Sequence, residues 1–140
     1  MTKPYEIIEH TADVGLKVNG ATLKELFENA ASGMFDIIAH KRSSANEHKK
    51  IQIKKEVEDF EELLVDWLSE LLYIFNRQKI LFSNFKILEL NNSGIIGEAF
   101  GEKINPSKNT LQTEIKAVTF HDLKIEEDKN NFSCQIIFDV

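Results

Sequence analysis

The sequence predicts an α+β fold, a single domain in which two amphipathic helices pack on a largely antiparallel β-sheet. Three observations predict it. Two short apolar runs open the chain before any helical periodicity begins. Two later stretches carry apolar residues at helical spacing, each behind a capping residue. After Arg77 the chain is strand-like to its end. Strands, helix, strand, helix and a closing run of strands is the order of an α+β domain rather than of a regularly alternating parallel sheet. A length of 140 residues suits one compact unit, so residues 1–140 are read as one domain.

Residues 4–9 and 14–19 read as the first two strands, because Leu16 and Val18 alternate with Lys17 and Asn19 and Gly20 then closes the run. Between them lies His10-Thr11-Ala12-Asp13-Val14-Gly15. An imidazole, a hydroxyl and a carboxylate emerge there between two rigid elements, where chemistry is commonly placed.

Thr22-Leu23-Lys24-Glu25 is a capping box: the hydroxyl accepts from the third helical amide and the glutamate reaches back. Leu23, Leu26, Phe27, Ala30, Met34 and Phe35 follow at helical spacing, giving a helix to about Ile37. Gly33 lies inside it and is expected to weaken it by ~1 kcal/mol relative to alanine. The polar segment from His40 to Lys50 reads as a loop. Its basic residues are expected to be solvated rather than bound to phosphate, since no aromatic is interleaved for stacking bases. His40 and His48 are read the same way.

Ile51 begins a strand that ends near Val57, and Asp59 with Glu62 caps the second helix. Leu63, Leu64, Trp67, Leu68, Leu71, Leu72 and Phe75 form its wide apolar stripe, which reads as core. Asp66, beside Trp67, is a candidate partner contact on a face that is otherwise solvated. Both helices follow a strand and a cap, a weak sign of a duplicated strand-then-helix unit. Residues 82–90, 94–100, 111–125 and 132–140 are the remaining strand candidates, and the long run that ends at Ile125 is expected to bend partway. Asn91-Asn92-Ser93-Gly94 reads as a hairpin turn, and Asp128-Lys129-Asn130-Asn131 as the turn into the last strand.

The formal net charge of −6 opposes nonspecific docking onto phosphate backbones. Work on RNA is therefore expected to go through a protein partner or a metal. The single cysteine, Cys134, permits no internal disulfide and reads as a buried small hydrophobe. No run approaches the roughly 20 apolar residues of a membrane span, and the amino terminus lacks the apolar core of a signal peptide. A soluble cytoplasmic protein is expected.

The final strand reaches Phe138-Asp139-Val140. The Asp139 side chain then lies beside the terminal carboxylate, and two such anions repel unless water or a cation compensates. If the first and last strands are neighbours, Asp13 joins them. Converging carboxylates and backbone oxygens suit a hard cation such as Ca²⁺ or Mg²⁺. Zinc is less favoured, because no Cys/His cluster has ligand spacing. Separate solvated carboxylates are the alternative.

His10-Thr11-Ala12-Asp13-Val14-Gly15, Leu63-Leu64-Val65-Asp66-Trp67-Leu68, Ile115-Lys116-Ala117-Val118-Thr119-Phe120-His121 and the terminal Phe138-Asp139-Val140 together resemble the archease family. The resemblance covers essentially the whole chain, in order. Archeases are small proteins that assist the RtcB-type RNA-splicing ligase. The resemblance implies an α+β fold and a cation site, calcium first, with magnesium or manganese as substitutes. Matched residue by residue, its metal ligands fall on Asp13, Asp139 and a main-chain or terminal oxygen of Val140. His10, Lys116 and His121 sit in matching motifs and are expected to face the partner, with no catalytic role. One departure is present. Archeases often carry a histidine after the Gly-Glu loop, whereas Gly101-Glu102 here leads to Lys108-Asn109.

The function implied is a non-catalytic activator of the ligase in tRNA splicing and RNA repair, promoting its guanylylation and multiple turnover and meeting RNA only indirectly. Two alternatives stand beside it. One is a broader chaperone or modulator of nucleic-acid-processing proteins. The other is a metal-dependent hydrolase of phosphate esters, which lacks both a nucleophile–base pair and a phosphate-cradling glycine loop.

Overall fold

A computed structural model of the chain describes residues 3–9, 12–40, 46–105 and 110–140. Two strands open the fold, β1 (Tyr5–Glu9) and β2 (Asp13–Gly20), followed by helix α1 (Leu23–Ile38). The short β3 (Ala39–His40), β4 (Glu47–Lys54) and helix α2 (Phe60–Gln78) come next. The remaining strands are β5 (Ile80–Asn91), β6 (Gly94–Lys103), β7 (Thr110–Leu111), β8 (Ala117–Thr119), β9 (Glu126–Asp128) and β10 (Asn131–Asp139).

Among the described residues the strands make three sheets rather than one. The first runs β1-β2-β10-β8, with β9 paired to β10. The second is β4-β6-β5, and β3 pairs with β7 in a two-stranded piece. Every pairing is antiparallel. Helix α1 touches both larger sheets, through β2 and β5. That position explains why its buried residues include Ala31, Gly33 and Ile38 beyond the single expected stripe. At Gly33 α1 lies close against the first sheet: a Cβ there would meet Leu16 Cδ2 at 2.7 Å.

Both predicted caps form. Thr22 Oγ1 accepts from Glu25 N–H at 3.1 Å, and Glu25 Oε1 accepts from Ala21 N–H at 3.0 Å. Asp59 Oδ1 accepts from Glu62 N–H at 3.0 Å. Trp67 is fully buried, and its indole N–H donates to the Phe27 carbonyl at 3.1 Å, tying the two helices together.

Three segments differ from the sequence reading. The segment from His40 to Lys50 is not all loop: His40 ends β3, Glu47 already begins β4, and residues 41–45 lie outside the described residues. The outward face of β4 is polar at every second position, so its first half lacks an apolar signal. An aromatic does meet it, from across the sheet: the His48 ring stacks on Phe100 at 4.7 Å and its Nε2 lies 2.7 Å from Glu98. The stretch 111–125 is also broken, into β7, β8 and irregular chain. The strand begun at Ile51 stops at Lys54, short of Val57. The hairpin turn at Asn92-Ser93 is as expected, with Asn91 Oδ1 accepting from Ser93 N–H at 2.8 Å and Gly94 at φ 142°. Lys129 and Asn130, at φ 38° and 65°, turn the chain into β10.

Candidate metal centre

β10 lies between β2 and β8, so the first and last long strands of the chain are neighbours. The alternation of side chains decides what each face carries. Val14, Leu16 and Val18 on β2 pair with Phe138, Ile136 and Cys134 on β10, and all six are buried in the core. The intervening residues face the other way. On that outer face Asp13 pairs with Asp139, Gly15 with Ile137 and Lys17 with Gln135.

The hydrogen-bond phase of this ladder can be read from its neighbours. Asp139 and Ile137 direct their carbonyls toward β8, where they accept from Lys116 N–H at 2.7 Å and Thr119 Oγ1 at 2.9 Å. Neither carbonyl therefore bonds β2. Asp13 and Asp139 are a non-hydrogen-bonded pair, the arrangement in which facing side chains come closest. Like charges so placed destabilise a sheet.

Burial sharpens the conflict. Asp139 is exposed, but Asp13 is half-buried, and its Oδ1 is buried without a hydrogen-bond partner among the described residues. A carboxylate oxygen removed from water without a donor costs free energy. Val140 follows immediately, with its side chain packed on the core. Among the described residues no set of three His, Cys, Asp or Glu side chains gathers. The donors at hand are thus two carboxylates and main-chain oxygen. An all-oxygen set of that kind fits Ca²⁺ or Mg²⁺ and not a thiophilic ion.

The other expected residues are distributed as follows. His10 lies outside the described residues, as do Lys108 and Asn109. Lys116 joins the centre through its main chain, and its side chain is exposed. His121 follows β8 at an exposed turn, with Nε2 3.3 Å from Asp122 Oδ2. Asp66 belongs to a separate cluster. It accepts from Lys55 Nζ at 3.1 Å, while Glu62 approaches the same amine at 2.6 Å. Glu62 first and Asp66 second hold the Lys55 amine above its usual pKa.

Two features near the centre lie within the motif at residues 115–121 but are not singled out by it. Thr119 anchors β8 to β10 through its hydroxyl. Phe120, next in the chain, leaves 56% of its surface in solvent beside that strand. Both depend on a short strand whose partner is distant in sequence.

Comparison with known proteins gives one consistent picture. Residues 5–140 match the model of the Archease protein family. A protein archease from Methanosarcina acetivorans is 39% identical, over 99% of this chain and 97% of its own length. One from Pyrococcus furiosus is 41% identical, over 89% of each chain. The solution structure of Methanobacterium thermoautotrophicum protein 1598 superposes with a TM-score of 0.83 at 36% identity, covering 99% of this chain and all of that one. The crystal structure of a Thermotoga maritima protein, described as an archease and possible chaperone, gives 0.67 at 25% identity and covers 100% of this chain and 98% of its own.

Proposed function

Because the chain belongs to the archease family, we propose that it is a non-catalytic accessory protein of an RtcB-type RNA ligase. In this reading it promotes guanylylation of the ligase and its repeated turnover in tRNA splicing and RNA repair. It acts through a divalent cation, calcium first, held by Asp13, Asp139 and main-chain oxygen of Val140. The single observation that carries the proposal is the facing pair of carboxylates with one buried, unpartnered oxygen.

A divalent ion held there would supply positive charge able to offset that of a triphosphate during nucleotidyl transfer. The chain's own contribution is to hold the ligands. Asp13 is fixed at the start of β2, and Asp139 is fixed from both sides, by β2 across the ladder and by Lys116 N–H at its carbonyl. Lys116 and His121 flank the centre on the β8 side and face the partner, and Asp66 is a further candidate contact. The chain's acidic charge also suits docking on a basic protein surface. The broader reading, a chaperone-like modulator, is supported by the description of the Thermotoga maritima relative.

The test is a ligation assay at limiting ligase, with and without this protein. Wild-type protein is expected to increase product beyond one turnover per ligase. Asp13→Ala and Asp139→Ala are each expected to abolish the increase while circular dichroism stays that of a folded chain. Stimulation retained by either folded variant contradicts the proposal.

A further inference from the structure

β1 is the outermost strand of the five-stranded sheet, and among the described residues no strand pairs with its far side. The phase of its bonding decides which groups are left over. Asn19 N–H donates to the Pro4 carbonyl at 2.9 Å, so residues 4, 6 and 8 turn their main chain toward β2. Ile7 and Glu9 then direct their N–H and C=O groups outward. Natural sheets usually blunt such an edge with a proline, a bulge or a covering element. The register of β1 with β2 is unbroken from Tyr5 to Glu9, and it contains no proline.

A groove of about 640 Å³ runs beside this edge on the α1 side. Ile7 and Ile37 are its apolar lining, Glu9 and Asp36 give it negative charge, and His40, Gln112 and Thr113 complete it; Asp36 also accepts from the Tyr5 hydroxyl. Ile7 leaves 39% of its surface exposed there. Strand addition takes its affinity from main-chain hydrogen bonds and its selectivity from pockets for every second side chain. The side chain that suits this lining has an apolar stem and a cationic head, as lysine and arginine do.

We propose that the outer edge of β1 is a strand-addition site for an extended segment of a partner protein that carries lysine or arginine at alternate positions. Main-chain groups of Ile7 and Glu9 pair with the incoming strand. Its basic side chains lie along Ile7 and Ile37 and end near Glu9 and Asp36. This goes beyond the cation reading and uses none of its ligands, so either stands if the other fails.

The experiment is a titration of the ¹⁵N-labelled full chain with a blocked eight-residue peptide of alternating arginine and valine. A glutamate–valine peptide of equal length is the control. The expected result is saturable shifts at the Ile7, Glu9 and Ile37 amides and exchange of the Glu9 amide slowed by about tenfold or more, with no saturable response to the acidic peptide. Ile7→Pro removes an outward N–H, which an edge strand tolerates, and also removes the Ile7 side chain from the groove. It is expected to weaken binding by at least about tenfold, since it removes one main-chain hydrogen bond and one apolar contact together. Glu9→Lys keeps the whole main chain and serves if the proline variant does not fold; it is expected to weaken the basic peptide similarly. Unshifted Ile7 and Glu9 amides, equal binding of both peptides, or affinity unchanged in the folded variants overturns the proposal, as does pairing of β1 with a second copy of the chain.

Discussion

Asp13 and Asp139 face each other across the β2–β10 ladder as a non-hydrogen-bonded pair, with Oδ1 of Asp13 buried and unpartnered among the described residues. Neutralising one member therefore has opposite consequences with and without a cation. In chelator, Asp139→Asn is expected to raise stability by ~0.5 kcal/mol through relief of like-charge repulsion. With calcium present the same variant is expected to be less stable than wild type. Urea midpoints in the two buffers check both signs. A variant that is destabilised equally in both buffers contradicts the pairing argument.

Gly33 gives a second test, because two effects on one residue oppose each other. Alanine there improves helix propensity by ~1 kcal/mol. Its Cβ would however sit 2.7 Å from a Leu16 side chain that has no exposed surface into which to move. Overpacking of that kind costs ~1–3 kcal/mol. Gly33→Ala is expected to lower the melting temperature, and a rise would show that α1 has room to shift.

Cys134 supplies a pH dependence. Burial first, and the nearby Glu61 carboxylate second, push its thiol from 9.0 up to about 12. The folded state thus keeps the proton after the unfolded chain has released it. The stability tied to the protonated thiol is fully present below pH 9 and is lost as pH rises toward 12. Cys134→Val is expected to flatten that decline in denaturant midpoints between pH 9 and pH 11. An unchanged slope contradicts the assignment.

Legibility in the sequence followed the range of the interaction. Thr22 and Asp59 announced the helices because a cap and its acceptor lie within one turn. The stripe from Leu63 to Phe75 announced the core because helical periodicity is local. β4 was only half visible, since His48 and Lys50 lie on a solvent face and their apolar neighbour Phe100 is on another strand. The division into three sheets was invisible, because pairing partners such as Ala39 and Leu111 are far apart in the chain. Asp13 and Asp139 were singled out by residue type and family likeness, and the ladder shows that they meet. The open edge of β1 had no sequence signal at all, because a missing neighbour leaves no pattern.

The measurement that bears most directly on the central claim is calcium binding by isothermal titration calorimetry, with Asp13→Asn and Asp139→Asn alongside wild type. Wild-type protein is expected to bind one ion saturably, and each variant to lose at least about tenfold in affinity. Wild-type affinity in both variants, or no binding of Ca²⁺, Mg²⁺ or Mn²⁺ by the wild type, would contradict a shared site on these two carboxylates.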